Sequence, residues 1–248
     1  MNINIVLVEP SHPGNIGAVA RAMKNMELSQ LSLVKPKLFP HADATARASG
    51  ADDILSKADI YQDLPSAIAS AHVVFGASAR SRRIQWPLLD VRECAEKIIE
   101  QVQLGQVAIV FGREHSGLTN DELSLCQYLL RIPCNPDFSS LNLAAAVQVV
   151  SYEILMSQTQ QKPVTKETLD IEPAEIIKQE EMDSFFQHLK QTLTEIGYLN
   201  PKQPKKLMLR LKRLYNRAIQ DKSELNMLRG ILSATHKKCR LDKEIRNQ

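Results

Sequence analysis

The chain has 248 residues, 44% of them hydrophobic, and a net charge of +3. That is enough apolar material for a real core, and it excludes a chain disordered throughout. The four cysteines, Cys94, Cys126, Cys134 and Cys239, include no C-x-x-C pair and are widely spread, which argues for reduced thiols in a cytoplasmic protein rather than a disulfide framework.

The first apolar run predicts a strand over Ile3–Val8. It has no basic flank and is too short for a signal peptide or a membrane span. A helix over Asn15–Met26 follows, then a strand over Leu31–Val34 and helices over Ala44–Leu55 and Pro65–Ala71. Next come a strand at Val73–Gly76, a helix at Asp90–Gln103, a strand at Val107–Phe111, a helix at Asn120–Cys126 and a strand at Leu129–Ile132. The alternation predicts an α/β fold with a mostly parallel sheet. The strand runs are continuous rather than alternating, as expected when both sheet faces are covered.

The helix over Leu141–Met156 is interrupted only by Asn142, Gln148, Ser151, Tyr152 and Glu153. A helix that apolar belongs in a core or a subunit interface, and Ser139 or Ser140 is its expected cap. Ser157–Val164 is polar, lacks periodicity and contains a proline, so it reads as a linker. Helices are then predicted at Pro173–Ile196, Pro204–Gln220 and Ser223–Lys237. The expected domains are residues 1–158 (α/β), a linker at 159–170, and a small all-helical basic domain at 171–248.

Charge is uneven along the chain. Pro201–Gln248 carries 14 Lys and Arg against four Asp and Glu, whereas Glu167–Gly197 has eight acidic and two basic residues. By itself the basic end fits a polyanion-binding module or a solvated helical face equally well. The spacing adds more. Lys206, Arg210, Arg213 and Arg217 form one stripe, with Leu207, Leu211, Leu214 and Ala218 as an apolar stripe beside it. A cationic row anchored in this way suits a phosphate backbone. The nearest aromatics are Tyr198 and Tyr215, too few for a base-stacking platform.

Two segments run from a buried strand into a loop. One is Val107 to Leu118, which ends Phe111-Gly112-Arg113-Glu114-His115-Ser116-Gly117-Leu118. The other is Leu130 to Pro133, followed by Ser139 to Ala144. Strand ends of this kind are where open α/β sheets bind ligands. The first helix follows a turn containing Gly14-x-x-Gly17, but the chain has neither G-x-G-x-x-G nor a Walker motif. On that helix Ile16, Val19, Ala20, Met23 and Met26 form the core stripe. Gly14, Gly17, Ala18, Arg21 and Asn25 share another face, small enough for close approach of a partner or substrate. Spacing alone leaves Arg21 as a surface arginine or a site residue. No metal is expected, because none of the six histidines has ligand spacing. Ser116 lacks a nucleophile elbow, His115 is a lone loop histidine, and Cys134 is expected to be a packing residue.

Three segments together resemble the motifs of the SPOUT RNA methyltransferases, in the same order and spacing. They are Asn15-Ile16-Gly17-Ala18-Val19-Ala20-Arg21, Phe111-Gly112-Arg113-Glu114-x-x-Gly117-Leu118, and Ile132-Pro133 with Ser139-Ser140-Leu141-Asn142-Leu143-Ala144. Ser78-Ala79-Arg80-Ser81-Arg82, the following Trp86-Pro87 and the helical C-terminal extension make the chain most similar to the bacterial TrmJ type, the tRNA (cytidine/uridine-2′-O-)-methyltransferases. The resemblance implies a trefoil knot at the C-terminal end of the α/β domain and a homodimer with active sites at the subunit junction. The implied cofactor is S-adenosylmethionine, and the implied target is the ribose of the pyrimidine at position 32 in a tRNA anticodon loop.

Carried over by position, the cofactor-binding residues are Ala77, Ser78, Ala79, Gly112, Ile132, Ser139, Ser140 and Leu141, and the catalytic group is Arg21 with Asn15 and Ser140. Two alternatives remain at this point. One is a 2′-O-methyltransferase for another tRNA or rRNA site, or a non-catalytic RNA binder that keeps the fold. Intact Asn15, Arg21, Gly112, Glu114, Ser140 and Asn142 argue against the non-catalytic form. The other is a nucleotide-dependent oxidoreductase, which the missing glycine fingerprint disfavours.

Overall fold

The computed structural model describes residues 1–78, 87–160, 177–202, 206–219 and 221–246. The chain divides into two compact units, Met1–Glu167 and Thr168–Gln248. In the first unit the elements run β1 (Ile3–Val8), α1 (Pro13–Asn25), β2 (Gln30–Val34), α2 (Ala42–Ala48), α3 (Asp52–Ser56), β3 (Asp59–Tyr61) and α4 (Leu64–Ile68). They continue with β4 (Val73–Ala77), β5 (Leu88–Asp90), α5 (Val91–Val102), β6 (Val107–Phe111), α6 (Asn120–Leu123), β7 (Tyr128–Arg131) and α7 (Leu143–Gln160).

The strands form one sheet in the order β3-β2-β1-β6-β4-β7-β5, and every pairing is parallel. Because all strands point the same way, all deliver their carboxyl ends to one edge. The central strands β1 and β6 are buried throughout, which is why they read as unbroken apolar runs. The predicted strands all form. The two that sequence missed, β3 and β5, are three-residue edge strands whose burial is at best intermediate, so they have no apolar run to detect. Among the described residues no helix is long and apolar enough to cross a membrane.

Other expectations need correction. The single helix over Ala44–Leu55 is two helices, because Ser49 takes a left-handed φ of 47° and ends α2. Gly14 and Gly17 do not open a face for a substrate; both are buried. A Cβ on Gly17 would collide with the backbone of Ala44, so the glycine exists to let α2 cross α1 closely. The cap of α7 is Asn142, whose side chain accepts from the amides of Ala144 (2.9 Å) and Ala145 (3.4 Å), not Ser139 or Ser140. Ser157–Gln160 prolong α7 instead of opening a linker; the rest of that segment, 161–170, lies outside the described residues. The four cysteines are free thiols.

The second unit contains α8 (Gln179–Glu195), α9 (Leu207–Ala218) and α10 (Lys222–Arg246). The predicted starts at Pro173 and Pro204 fall outside the described residues. Its core is Ile177, Met182, Phe185, Phe186, Leu189, Ile219 and Leu225, with Leu211, Tyr215, Leu228 and Leu232 packed against it. Tyr215 meets Phe185 edge-on at 5.2 Å. The apolar face of α9 therefore runs through Leu211, Tyr215 and Ile219. Leu214, expected on that stripe, is 48% exposed. The row is displaced because Tyr215 and Lys212 take the positions over the phenylalanines; the Lys212 ammonium lies 5.6 Å from the Phe186 ring centre.

Candidate functional site

Strands β4, β6 and β7 lie side by side and end in loops that surround a cavity of about 260 Å³, near the lower end of the ~300–1,000 Å³ usual for small-molecule sites. Ala77, Ser78, Gly112, Ile132, Ser139, Ser140 and Leu141 all line it. Ala79 lies outside the described residues. Phe111, Leu118, Leu130 and Leu143 supply apolar wall, and Ser78, Arg113, Glu114, His115, Ser139 and Ser140 stand among its polar residues. A mixed lining at the ends of parallel strands suits a small-molecule ligand. Gly112 lets the β6 loop close on itself: a Cβ there would overlap backbone atoms of Gly117 and Leu118, so the loop could not fold back so closely over any other residue. Cys134, expected to be packing, lines the cavity and is half-buried.

The β6 loop is fastened to the β1–α1 turn by two adjacent side chains. Glu114 accepts from the amide of Ser11 (3.1 Å to each oxygen), the Ser11 hydroxyl (3.0 Å), the His12 amide (3.4 Å) and the Asn15 side-chain amide (3.0 Å). The Asn142 side-chain amide in turn donates to the Asn15 side-chain oxygen (Oδ1) at 3.0 Å. Asn15, Glu114 and Asn142 thus join all three motif segments in one polar chain. Arg113 donates to Glu9 at 2.6 and 3.0 Å and to both oxygens of Glu122 at 3.0 Å. Glu9 sits at a left-handed φ of 46°, a strained position of the kind found beside functional sites. Sequence reasoning noted Glu114 and Asn142 without their partners. It missed the Glu9–Arg113–Glu122 group, whose first two members are 104 residues apart and have no local signal.

Burial pushes the Glu114 carboxyl up, but hydrogen bonds from Asn15 and Ser11 outweigh it and hold the group below its ordinary 4.5. A lowered carboxylate stabilises the fold fully above its unfolded pKa and ceases to as pH falls through the folded value. Glu114→Gln is therefore expected to melt well below the wild type at neutral pH, with the gap narrowing as pH falls below 4.5. Thermal melts across pH check this. A gap constant with pH would mean that the charge contributes nothing.

Ser140 lines the cavity and Asn15 stands in the network beside it. Arg21 does not line the cavity. It is exposed on α1, and no side chain among the described residues pairs with it. On α9, Lys206, Arg210 and Arg217 are exposed and Arg213 is half-buried, so the row faces outward.

Comparison with known proteins agrees with this arrangement. The model of the SpoU rRNA Methylase family matches residues 2–152, and that of the tRNA methyltransferase TrmJ C-terminal domain matches residues 180–244. The tRNA (cytidine/uridine/adenosine-2′-O-)-methyltransferase TrmJ of Pseudomonas aeruginosa (strain UCBPP-PA14) is 52% identical over 96% of this chain and 95% of its own. The tRNA (cytidine/uridine-2′-O-)-methyltransferase TrmJ of Photorhabdus laumondii is 46% identical over 95% of this chain and 97% of its own. The crystal structure of TrmJ from Z. mobilis ZM4 superposes with a TM-score of 0.81 at 34% identity, covering 94% of this chain and 98% of that one.

Proposed function

The chain belongs to the SpoU rRNA methylase family and ends in a TrmJ-type C-terminal domain, and on that footing we propose that it is an S-adenosylmethionine-dependent tRNA 2′-O-methyltransferase. The observation that carries this reading is that two of the motif segments line one cavity while the first is tied to them through Asn15, Glu114 and Asn142. Family membership removes the oxidoreductase alternative. The intact motif residues favour an enzyme over a binding protein that has lost its chemistry.

The residues present fit the cofactor. The apolar walls suit an adenine, and Gly112 lets the loop that closes one side of the cavity fold back against its strand. Ser78, Gly112, Ile132, Ser139, Ser140 and Leu141 would hold the cofactor, which when bound would supply a methyl group on a sulfonium. Arg21 grips the phosphate next to the target ribose and stabilises charge developing on the 2′-oxygen. A guanidinium that stays protonated is a poor base, so the hydroxyl proton passes to a phosphate oxygen or to water. Asn15 and Ser140 orient the acceptor beside it.

Arg21 lies outside the lining of its own chain's cavity, and in this reading the protein is a homodimer in which a second protomer presents it to the site. The outward face of α7 offers the surface, with Tyr152 47% exposed and Val149, Leu155 and Met156 half-buried. The strand-end loops form the trefoil knot in this reading, and the protein works in the cytoplasm. Its target is the pyrimidine at position 32 of the anticodon loop. Adenosine is the second candidate base, because the name of the 52%-identical relative includes it.

Mass-spectrometric mapping of ribose methylation in tRNA from a strain lacking the protein tests the assignment. The methyl at position 32 should disappear; loss at another position, or no loss, would overturn the site. In the second unit, replacing Lys206, Arg210, Arg213 and Arg217 together with alanine should weaken tRNA binding at least about tenfold at physiological salt. Cofactor binding should be unchanged. Equal tRNA affinity, measured by anisotropy, would remove the RNA role of α9.

A further inference from the structure

We propose that the loop joining β2 to α2, with Lys35, Lys37 and Arg47, is a second phosphate-contact surface that takes the tRNA backbone beside the cofactor cavity, separate from the basic row on α9. The inference rests on the tRNA methyltransferase reading and specifies where the catalytic unit itself grips its substrate.

Placement comes from sheet register. Val8 pairs with Val34, and Leu7 pairs with Phe111. Gly112 is therefore level with Val34, and Lys35 leaves the same edge one residue further on, two strands away. At ~4.8 Å per strand that is about 10 Å across the sheet. The amide of Lys37 donates to the Pro10 carbonyl at 3.2 Å, which lays the loop against the turn that holds Glu114. The Arg47 stem crosses the first turn of α1, its Cγ 3.5 Å from where a Gly14 Cβ would stand. The close Gly17–Ala44 crossing fixes α2 there.

The charge is available. Lys35, Lys37 and Arg47 are exposed, and none forms a side-chain hydrogen bond or ion pair with another of the described residues. Of the acids near them, Glu9 is ion-paired with Arg113 and Asp63, which lies in the field of Lys35, caps the amide of Ser66, while Asp43 is exposed on α2. The first turn of α1 contains no acidic residue. The cations are strung along an edge rather than converging on a point, an arrangement that suits successive phosphates better than one free anion.

The test uses the full-length chain with Lys35→Ala, Lys37→Ala and Arg47→Ala combined. Its tRNA binding is followed by fluorescence anisotropy over a salt series, alongside calorimetry with S-adenosylmethionine and steady-state kinetics. The expected result is a Kd and KM for tRNA raised about tenfold or more, with the slope of log affinity against log salt reduced by about two to three. Turnover at saturating tRNA and cofactor affinity should stay at wild-type values, and Lys35→Arg with Lys37→Arg should bind as the wild type does. An unchanged slope and KM overturn the proposal, as does loss of cofactor affinity in the triple variant, which would make the loop a structural element. If the wild type methylated no tRNA while the triple variant still lost salt-dependent binding, the enzymatic reading would fail and the surface would stand. Methylation with unchanged binding would reject the surface alone.

Discussion

Arg21→Ala is expected to lower kcat about 100- to 1,000-fold, the size of effect seen when one preorganised charge-stabilising donor is removed from an active site. Cofactor affinity should not change, because Arg21 lies outside the cavity lining. Lys at this position should recover little, since an ammonium cannot hold a phosphate bidentately. Single-turnover methylation of tRNA checks the rate, and full turnover by Arg21→Lys at saturating RNA would reject the bidentate role. The fold itself should be indifferent, because the side chain is exposed on α1 and pairs with none of the described residues.

The second large effect belongs to Gly112→Ala. The added methyl would sit inside the space of the Gly117 and Leu118 backbone, where no side-chain rotation can relieve it. The loop must open, and the cavity it forms loses its shape. Overpacking of this kind costs about 1–3 kcal/mol, or roughly 2–4 °C in Tm per kcal/mol for a domain of this size. Calorimetry with S-adenosylmethionine should show no binding heat at concentrations that saturate the wild type; normal affinity would mean that the loop is not the cofactor wall. Mixing the two variants then tests the dimer. A chain with Arg21→Ala and a chain with Gly112→Ala each lack one half of a site. Mixed dimers regain activity only if the cavity of one protomer works with the Arg21 of its partner.

Much of this was legible in sequence because the signals are local. The buried strands β1 and β6 are uninterrupted apolar runs, and the loops after β6 and β7 break in Gly, Ser and Asn where the sheet ends. The motif order then identified the cavity lining through to Leu141. The failures are equally physical. Strands β3 and β5 exist because their backbones complete the sheet edges, which needs no apolar side chain. The α9 stripe was placed one residue off because helical spacing does not say which neighbour fills the gap beside Phe185 and Phe186.

The sequence by itself determined most element types, the family and the segments that carry the candidate site, since these depend on residue chemistry at fixed spacing along the chain. Only the tertiary structure decided what those residues do to one another. It assigned Gly17 to helix crossing and Asn142 to both the α7 cap and the Asn15 network. It also brought Glu9 to Arg113 across 104 positions, and it left Arg21 away from the cavity of its own chain. Such relations are set by strand order and the closeness of packed backbones, and neither is written in any local stretch of residues.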